Sequence, residues 1–177
     1  MLKKFLFIAV LAFTVIVNAQ NEAKSIFDRH HEVKVGAVKL LAGPILEGTY
    51  EYIQSRDFTY GASILANLDG GNDYYEDFSI TPFARFYFQE TKEFGAKGFF
   101  VEGFAKYSTG RNTTKDYLDE ASRKYSAAAL GISLGKKWIN RTGFVFEILG
   151  GIGRTLGNSE AAPDVLFRGD LNIGYRF

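Results

Sequence analysis

Apolar and polar residues alternate along the last segment of the chain, residues 165–177. In an extended strand, one face of this segment would carry Val165, Phe167, Leu171, Ile173, Tyr175 and Phe177. The opposite face would carry Arg168, Asp170, Asn172 and Arg176. Such a strand fits a soluble sheet that covers a core. It also fits a transmembrane barrel with lipid outside and a polar lumen inside.

Seven earlier segments share this alternation, and they span residues 33–41, 45–54, 58–68, 78–88, 98–108, 125–138 and 144–154. Each has about the ten residues that a tilted strand needs to cross a membrane. The pattern therefore predicts an all-β fold, an eight-stranded antiparallel transmembrane up-and-down β-barrel. Pro82 lies inside the fourth segment. Because proline cannot donate a ladder hydrogen bond, we expect a bulge or a broken bond there.

The connections between these segments alternate between short and long. If the N-terminus lies in the periplasm, residues 55–57, 89–97 and 140–143 would face the periplasm. The polar loop that residues 69–73 open and the connections at 109–124 and 156–164 would then face outward. Short inner turns with longer outer loops are typical of outer-membrane barrels. The short Gly43-Pro44 turn breaks this trend. We expect residues 109–124 to form a loop, with residues 117–121 as a candidate helical turn.

Aromatic residues cluster at the predicted inner ends of the strands. In the predicted topology an aromatic belt at the inner membrane interface would contain Tyr52, Phe58, Phe88, Phe99, Trp138, Phe144, Tyr175 and Phe177.

The first residues have the three parts of a secretory signal peptide. Lys3 and Lys4 form the basic start, residues 5–17 form the apolar stretch, and Ala19 ends a small-residue cleavage site. The apolar stretch is shorter than the ~20 residues of a membrane-spanning helix. We therefore expect a signal peptide at residues 1–19, an N-terminal lead at 20–31, and a barrel at 32–177 located in the outer membrane.

Composition excludes several classes of function. The chain has no cysteine, which excludes a lipoprotein anchor, a disulfide framework and cysteine-based metal sites. Its formal net charge is +1 with both signs spread along the chain, unlike a nucleic-acid binder. His30 and His31 both precede the first segment. Adjacent residues of an extended chain point in opposite directions, so a flexible polar lead is favoured over a metal site, and no cofactor is predicted.

The polar faces of the predicted strands would meet in the lumen. They carry acids and bases in nearly equal number: Lys34, Glu47, Glu51, Arg85, Glu102, Lys106, Lys137, Glu147, Arg168, Asp170 and Arg176. Eight strands enclose an interior that side chains fill, so we expect a charge network without a continuous channel. Arg85 is expected to pair with one or more of Glu51, Glu102 and Glu147. Paired carboxylates also serve glycosidases, but acids interleaved with bases favour ion pairing and a non-enzymatic protein.

The outer connections mix tyrosines with charges, a composition suited to binding sugars, lipopolysaccharide or another protein. The candidate residues for an unknown surface ligand are Tyr74, Tyr75, Arg111, Lys115 and Tyr117.

The eight alternating segments, residues 47–52 and 82–88, and the terminal Tyr175-Arg176-Phe177 carry a resemblance to a known group. The chain resembles the small outer-membrane β-barrels of Gram-negative bacteria, the OmpA/OmpX-like group, and most of all its porin-like families of unknown function. The resemblance implies outer-membrane lipids and the barrel-assembly machinery as partners. Tyr175 and Phe177 would form the assembly signal, so we expect loss of Phe177 to impair assembly. The resemblance implies no catalytic residue and no particular ligand.

Two other functions remain open. A soluble periplasmic lipocalin-like barrel that binds a small apolar ligand would require the apolar faces to point inward. A membrane-embedded lipid-modifying enzyme would require a catalytic polar residue near the outer rim. Because both histidines precede the first segment, the sequence counts against a serine–histidine mechanism.

Overall fold

The computed structural model describes residues 26–69, 74–88, 95–116, 119–157 and 162–177, with the side chains of residues 27, 42 and 112–123 left out. Within these residues, eight antiparallel strands form a closed barrel in which each strand pairs with the next and the last pairs with the first. The predicted all-β, eight-stranded up-and-down barrel is therefore confirmed. The predicted signal peptide and its cleavage site lie outside the described residues.

The strands are β1 (His31–Gly36), β2 (Ile45–Ile53), β3 (Phe58–Asn67), β4 (Glu76–Phe88), β5 (Gly98–Asp116), β6 (Asp119–Ile139), β7 (Phe144–Leu156) and β8 (Val165–Arg176). A 3₁₀ helix (Ile26–Asp28) precedes β1, and the helix α1 (Ala37–Ala42) connects β1 to β2. Neither helix, nor any other among the described residues, is long and apolar enough to span a membrane.

The pairing registers define the tilt of the barrel wall. From Glu32 on β1, the paired residues around the barrel are Glu51, Gly61, Phe83, Phe104, Gly131, Gly153 and Leu166. Across the β1–β8 seam, however, Glu32 pairs with Arg176. Positions 166 and 176 are ten residues apart, so the shear of this barrel is ten. Eight strands with this shear are tilted by roughly 40° from the barrel axis.

The wall of the barrel is apolar outside and polar inside. Phe167, Leu134 and Ile132 project outward and are 74%, 67% and 61% exposed, whereas Lys34, Glu51 and Glu147 point into the lumen and are fully buried. The alternation of the strands thus places the charged faces inside.

The predicted first strand is wrong beyond Gly36, because the next residues form α1. Had the strand continued, Lys39 would share the outward face of Val33, while Val38 and Leu40 would enter the charged lumen. In the helix, Lys39 instead bonds to Glu47 and lies 3.6 Å from Asp170, and Leu41 is 87% exposed. The helix also replaces the predicted short turn between the first two strands.

The predicted loop at residues 109–124 is also wrong, because β5 and β6 continue through most of it as a hairpin. The two strands pair from Gly98 and Lys137 up to Asp116 and Asp119, and residues 117–118 lie outside the described part of the chain. Residues 111–116 extend the hairpin roughly 15 Å beyond the neighbouring strands, at the rise and tilt of such strands. The alternation weakens in this polar stretch, which is why the sequence pattern indicated a loop.

Pro82 interrupts one ladder of β4. Its residues pair with β3 without a break, but the pairing with β5 skips from Ile80 to Phe83 and resumes in the same register. The broken bond that the sequence predicts is therefore present. The bulge lies elsewhere, between Glu76 and Phe78.

The end of the barrel at which β1 begins is filled by apolar side chains. Ala96 is fully buried and packs with Ile53, Tyr87, Phe100 and Leu149. Its main-chain carbonyl accepts a hydrogen bond from Arg176 (3.1 Å), which ties the β4–β5 connection into this end of the lumen. In addition, Ile26 of the 3₁₀ helix packs on Ile139 and Val145.

Candidate functional site

Glu51 lies at the centre of a buried charge cluster in the lumen. Its carboxylate accepts hydrogen bonds from Lys34 (2.5 Å), Arg85 (2.7 Å) and Lys137 (2.8 Å). The hydroxyls of Thr59 (2.6 Å) and Tyr87 (2.9 Å) also donate to it. These donors come from β1, β3, β4 and β6, so one carboxylate joins strands on several sides of the barrel.

Arg85 donates hydrogen bonds to three carboxylates of the cluster, whereas Lys34 and Lys137 each donate to two. Its guanidinium donates to Glu51 (2.7 Å), Glu102 (2.7 Å) and Glu147 (2.8 Å), the three partners considered from the sequence. The guanidinium carbon also lies 4.3 Å from the centre of the Phe83 ring and 4.5 Å from that of Phe100. The buried Nη2 atom has no hydrogen-bond partner among the described residues. Packing against aromatic rings compensates for part of its lost hydration.

Two further carboxylates complete this part of the cluster. Glu147 accepts from Lys34 (2.7 Å) and from the amide of Asn172 (3.0 Å). Glu32 accepts from Lys137 (2.7 Å) and from Arg176 (2.7 Å). The cluster thus contains the carboxylates Glu32, Glu51, Glu102 and Glu147 and the cations Lys34, Arg85, Lys137 and Arg176.

Arg168 connects this cluster to a second group of charges nearer the opposite end. It donates to Glu102 (3.0 Å) and Glu47 (3.4 Å), and also to the hydroxyl of Ser63 (3.1 Å). The second group consists of the carboxylates Glu47, Glu76 and Asp170 and the cations Lys39, Lys106 and Arg168.

Each of these two groups is electrically balanced. Four carboxylates meet four cations in the first, and three meet three in the second, through the ion pairs given above. Burial of an ionised group is tolerated only when opposite charges and hydrogen bonds compensate for its lost hydration. In this geometry each of these carboxylates forms an ion pair with at least one cation of the same chain. The arrangement therefore compensates for the burial of these charges in the lumen.

Three members of the cluster and of the second group were not predicted from the sequence. Glu32 belongs to the same face as Lys34, so extending that face by two residues would have found it. Lys39 was placed in a strand that is in fact a helix. Glu76 could not be found by alternation, because the bulge between Glu76 and Phe78 shifts the register and turns its side chain inward.

The candidate surface residues lie at the far rim and on the hairpin. Arg111 lies 3.0 Å from Asp77, and its main-chain amide donates to the carbonyl of Tyr75 (3.1 Å). Burial and the nearby Glu76 raise the pKa of Tyr75 to about 12. They also raise the pKa of Tyr74 above its ordinary value. The backbone of Lys115 belongs to β5, but its side chain and the whole of Tyr117 lie outside what the structure describes.

Aromatic rings gather at the end of the barrel where β1 begins. The His31 ring stacks on Phe177 at 5.8 Å, and Tyr52 lies 5.4 Å from Tyr60. Phe144 is paired with Tyr175 across β7 and β8. The residues of the predicted aromatic belt, including Tyr175 and Phe177, therefore share one end of the barrel.

The adjacent histidines contact different groups. His30 Nδ1 lies 2.9 Å from the carbonyl oxygen of Ile53, and His31 Nδ1 lies 2.7 Å from the hydroxyl of Tyr50. Within the described residues, no group of three or more histidine, aspartate or glutamate side chains is arranged to hold a metal ion. Residues 26–31 also differ from the predicted flexible lead, because they pack on the barrel, with Arg29 donating to the Thr142 carbonyl (3.0 Å).

The fold and the lumen define a class: a closed antiparallel barrel with an apolar exterior and a neutralised ionic interior. No protein-family model, curated protein or solved structure matches the chain.

Proposed function

We propose that this chain is an exported, non-enzymatic barrel that spans the outer membrane of a Gram-negative cell and binds a ligand at the cell surface. The lumen is proposed to be closed to ions, because the charge cluster occupies it. The barrel-assembly machinery and the lipids of the membrane would be its partners.

The observation that carries this proposal is the polarity of the wall. The exposed face of the strands consists largely of leucine, isoleucine, valine, phenylalanine and tyrosine, while the fully buried positions include Lys34, Arg85 and Glu147. In water this arrangement would expose a large continuous apolar surface, which monomeric soluble proteins avoid. In a bilayer the same surface contacts lipid, and the closed ladder satisfies the backbone. A lipocalin-like barrel would need the opposite polarity.

Fractionation tests the location. We expect the protein in the outer-membrane fraction, and we expect the purified protein in detergent to migrate differently before and after heating, as stable membrane barrels do. Recovery in the soluble periplasm would overturn the proposal and favour the lipocalin-like alternative. Planar-bilayer recordings test the closed lumen, and a steady single-channel conductance would contradict it.

The surface-binding part of the proposal rests on the β5–β6 hairpin. β4 pairs with β5 only up to Gly110, and β7 pairs with β6 only from Ala128 onward. Beyond the Arg111 amide, which donates to the Tyr75 carbonyl, and beyond Ala128, the described strands of the hairpin pair with each other, and no other described strand pairs with their outer edges. Unpaired strand edges carry free main-chain donors and acceptors, and they accept added strands from other proteins. We therefore propose an extended polypeptide segment as the surface ligand.

A trimmed hairpin tests this function. Residues 112–123 would be replaced by Asn-Gly, a two-residue turn that can connect the directly paired Arg111 and Lys124. We expect the trimmed barrel to assemble and to retain heat-modifiable migration but to lose binding partners in a screen of extracellular proteins and peptides. If a partner bound the intact and the trimmed protein equally well, the hairpin would not be its binding site. A glycan that binds only the intact form would replace the polypeptide ligand.

A further inference from the structure

Lys136 is a cation on the apolar outer face of the barrel. It lies on β6 directly opposite Phe99 on β5 and Ile148 on β7. Its ammonium nitrogen lies 4.4 Å from the centre of the Phe99 ring and 5.2 Å from that of Trp138. These rings belong to the aromatic end of the barrel. A lysine at this level can reach the polar boundary of a membrane while its stem remains on apolar surface.

A groove of about 490 Å³ extends along the outer face beside Lys136, lined by Phe88, Phe99, Leu134, Trp138, Ile148 and Gly150. Gly150 forms part of its floor, since a Cβ atom there would meet nothing within 4 Å. Lys136 and Trp138 lie at the aromatic end, and Gly150 and Leu134 lie farther along the strands. The groove therefore has a cationic end at the aromatic belt and an apolar end toward the middle of the barrel wall.

The charges around the groove favour an anion. No carboxylate lines it among the described residues, and Lys136 makes no ion pair among them. The other basic residues on the outer face of the described strands, Arg111, Lys124 and Arg154, lie at or beyond the far rim. A zwitterionic headgroup would bring a second cation toward Lys136, and none of the described lining residues is an acid that could receive it. Among the described lining residues, a headgroup with net negative charge would meet the lysine and the aromatic rings.

We propose that this groove binds one anionic phospholipid of the inner leaflet, with its phosphate on Lys136 and an acyl chain over Gly150. The cationic end at the aromatic belt and the apolar end toward the bilayer centre match the orientation of such a lipid. This inference rests on the proposed membrane location.

Trp138 is the chain's single tryptophan and lines this groove, so tryptophan quenching reports on lipid that contacts this part of the wall. The barrel would be reconstituted in phosphatidylcholine vesicles that contain a small fraction of acyl-brominated phosphatidylglycerol or acyl-brominated phosphatidylcholine. Bromine quenches tryptophan on contact, so the ratio of quenching gives the relative affinity for the two headgroups. We expect about fivefold preference for phosphatidylglycerol, as one lysine near an anionic headgroup supplies. The preference should weaken as salt is raised.

Matched variants test whether the headgroup preference arises at Lys136. Lys136→Gln should remove the headgroup preference, whereas Arg154→Gln, an outward arginine at the far rim, should retain it. Gly150→Leu fills the groove and should weaken quenching by both lipids. Equal quenching by the two lipids in the unmodified protein would overturn the lipid site and leave the membrane proposal intact. No quenching by either lipid would overturn both.

Discussion

Arg85→Met is expected to destabilise the barrel more than any other single loss of a cation from the lumen. The arginine is 1% exposed and donates to three buried carboxylates at 2.7–2.8 Å. Methionine retains the apolar contact with Phe83 and Phe100 but removes the positive charge. The first group of charges would then hold four carboxylates against three cations.

The magnitude follows from the partners that remain. Glu51 keeps Lys34 and Lys137, and Glu147 keeps the same two lysines, whereas Glu102 keeps only Arg168. Removal of one member of a buried ion pair typically costs about 3–5 kcal/mol, because an uncompensated charge stays buried. We expect Arg85→Met to lower the free energy of unfolding by an amount in this range at neutral pH. The double variant Arg85→Met/Glu102→Gln restores electrical neutrality and should recover at least half of the lost free energy.

The free energy of unfolding can be measured by urea titration in lipid vesicles, with Trp138 as the reporter. Arg154→Met is the matched control, because it makes the same substitution on the exposed outer face, and it should change stability by less than about 0.5 kcal/mol. Equal losses of unfolding free energy for Arg85→Met and Arg154→Met would contradict this prediction. A double variant less stable than Arg85→Met would contradict it as well.

Three further predictions use other parts of the wall. Gly131→Ala should cost about 1–3 kcal/mol in urea titrations, because its Cβ would lie 2.3 Å from a buried ring atom, whereas Gly103→Ala has open space and should be neutral. Lys39→Met should cost about 1–3 kcal/mol by removing a cation from two carboxylates, while Leu41→Met on the exposed side of α1 should change little. The raised pKa of Tyr75 means that the folded form holds this proton more tightly, so stability should fall as the pH rises from about 10 to 12. Tyr75→Phe should abolish a late step in the ultraviolet tyrosinate titration, and an unchanged curve would contradict the assignment.

Alternation was enough to predict the number of strands and the side of the barrel wall on which their residues lie. The side of each residue follows from a period of two, and the period is unbroken where outward-facing and lumen-facing positions differ strongly in polarity. The predicted bounds of β2, β3 and β7 agree with the structure to within about two residues. The lumen members Glu51, Arg85 and Glu102 were placed on the inward face for the same reason.

The sequence-based prediction was wrong where another interaction overrides the two-residue alternation of the strands. Lys39 is inward because α1 changes the local geometry, and Glu76 is inward because a bulge shifts one strand by a residue. The hairpin beyond Gly110 extends past the neighbouring strands, where the contrast between an apolar exterior and a charged lumen ends, so its sequence carries little alternation. The individual ion pairs require the tilt and shear of the barrel, which no single strand encodes.

The charge cluster supplies information that alternation lacks. A slip of two residues between neighbouring strands would keep every apolar side chain outside. The alternation of polarity alone therefore does not determine which residues pair between strands. Three pairs of opposite charges, however, face each other directly across neighbouring strands: Arg85 and Glu102, Lys137 and Glu147, and Glu32 and Arg176. Slipping any of these pairs by two residues would leave buried charges without partners, at a cost far above that of a surface mismatch. The Glu32–Arg176 pair lies at the β1–β8 seam, where a slip would change the shear and hence the radius of the barrel. We therefore expect the ionic lumen to select one closed register among several that the apolar exterior would accept.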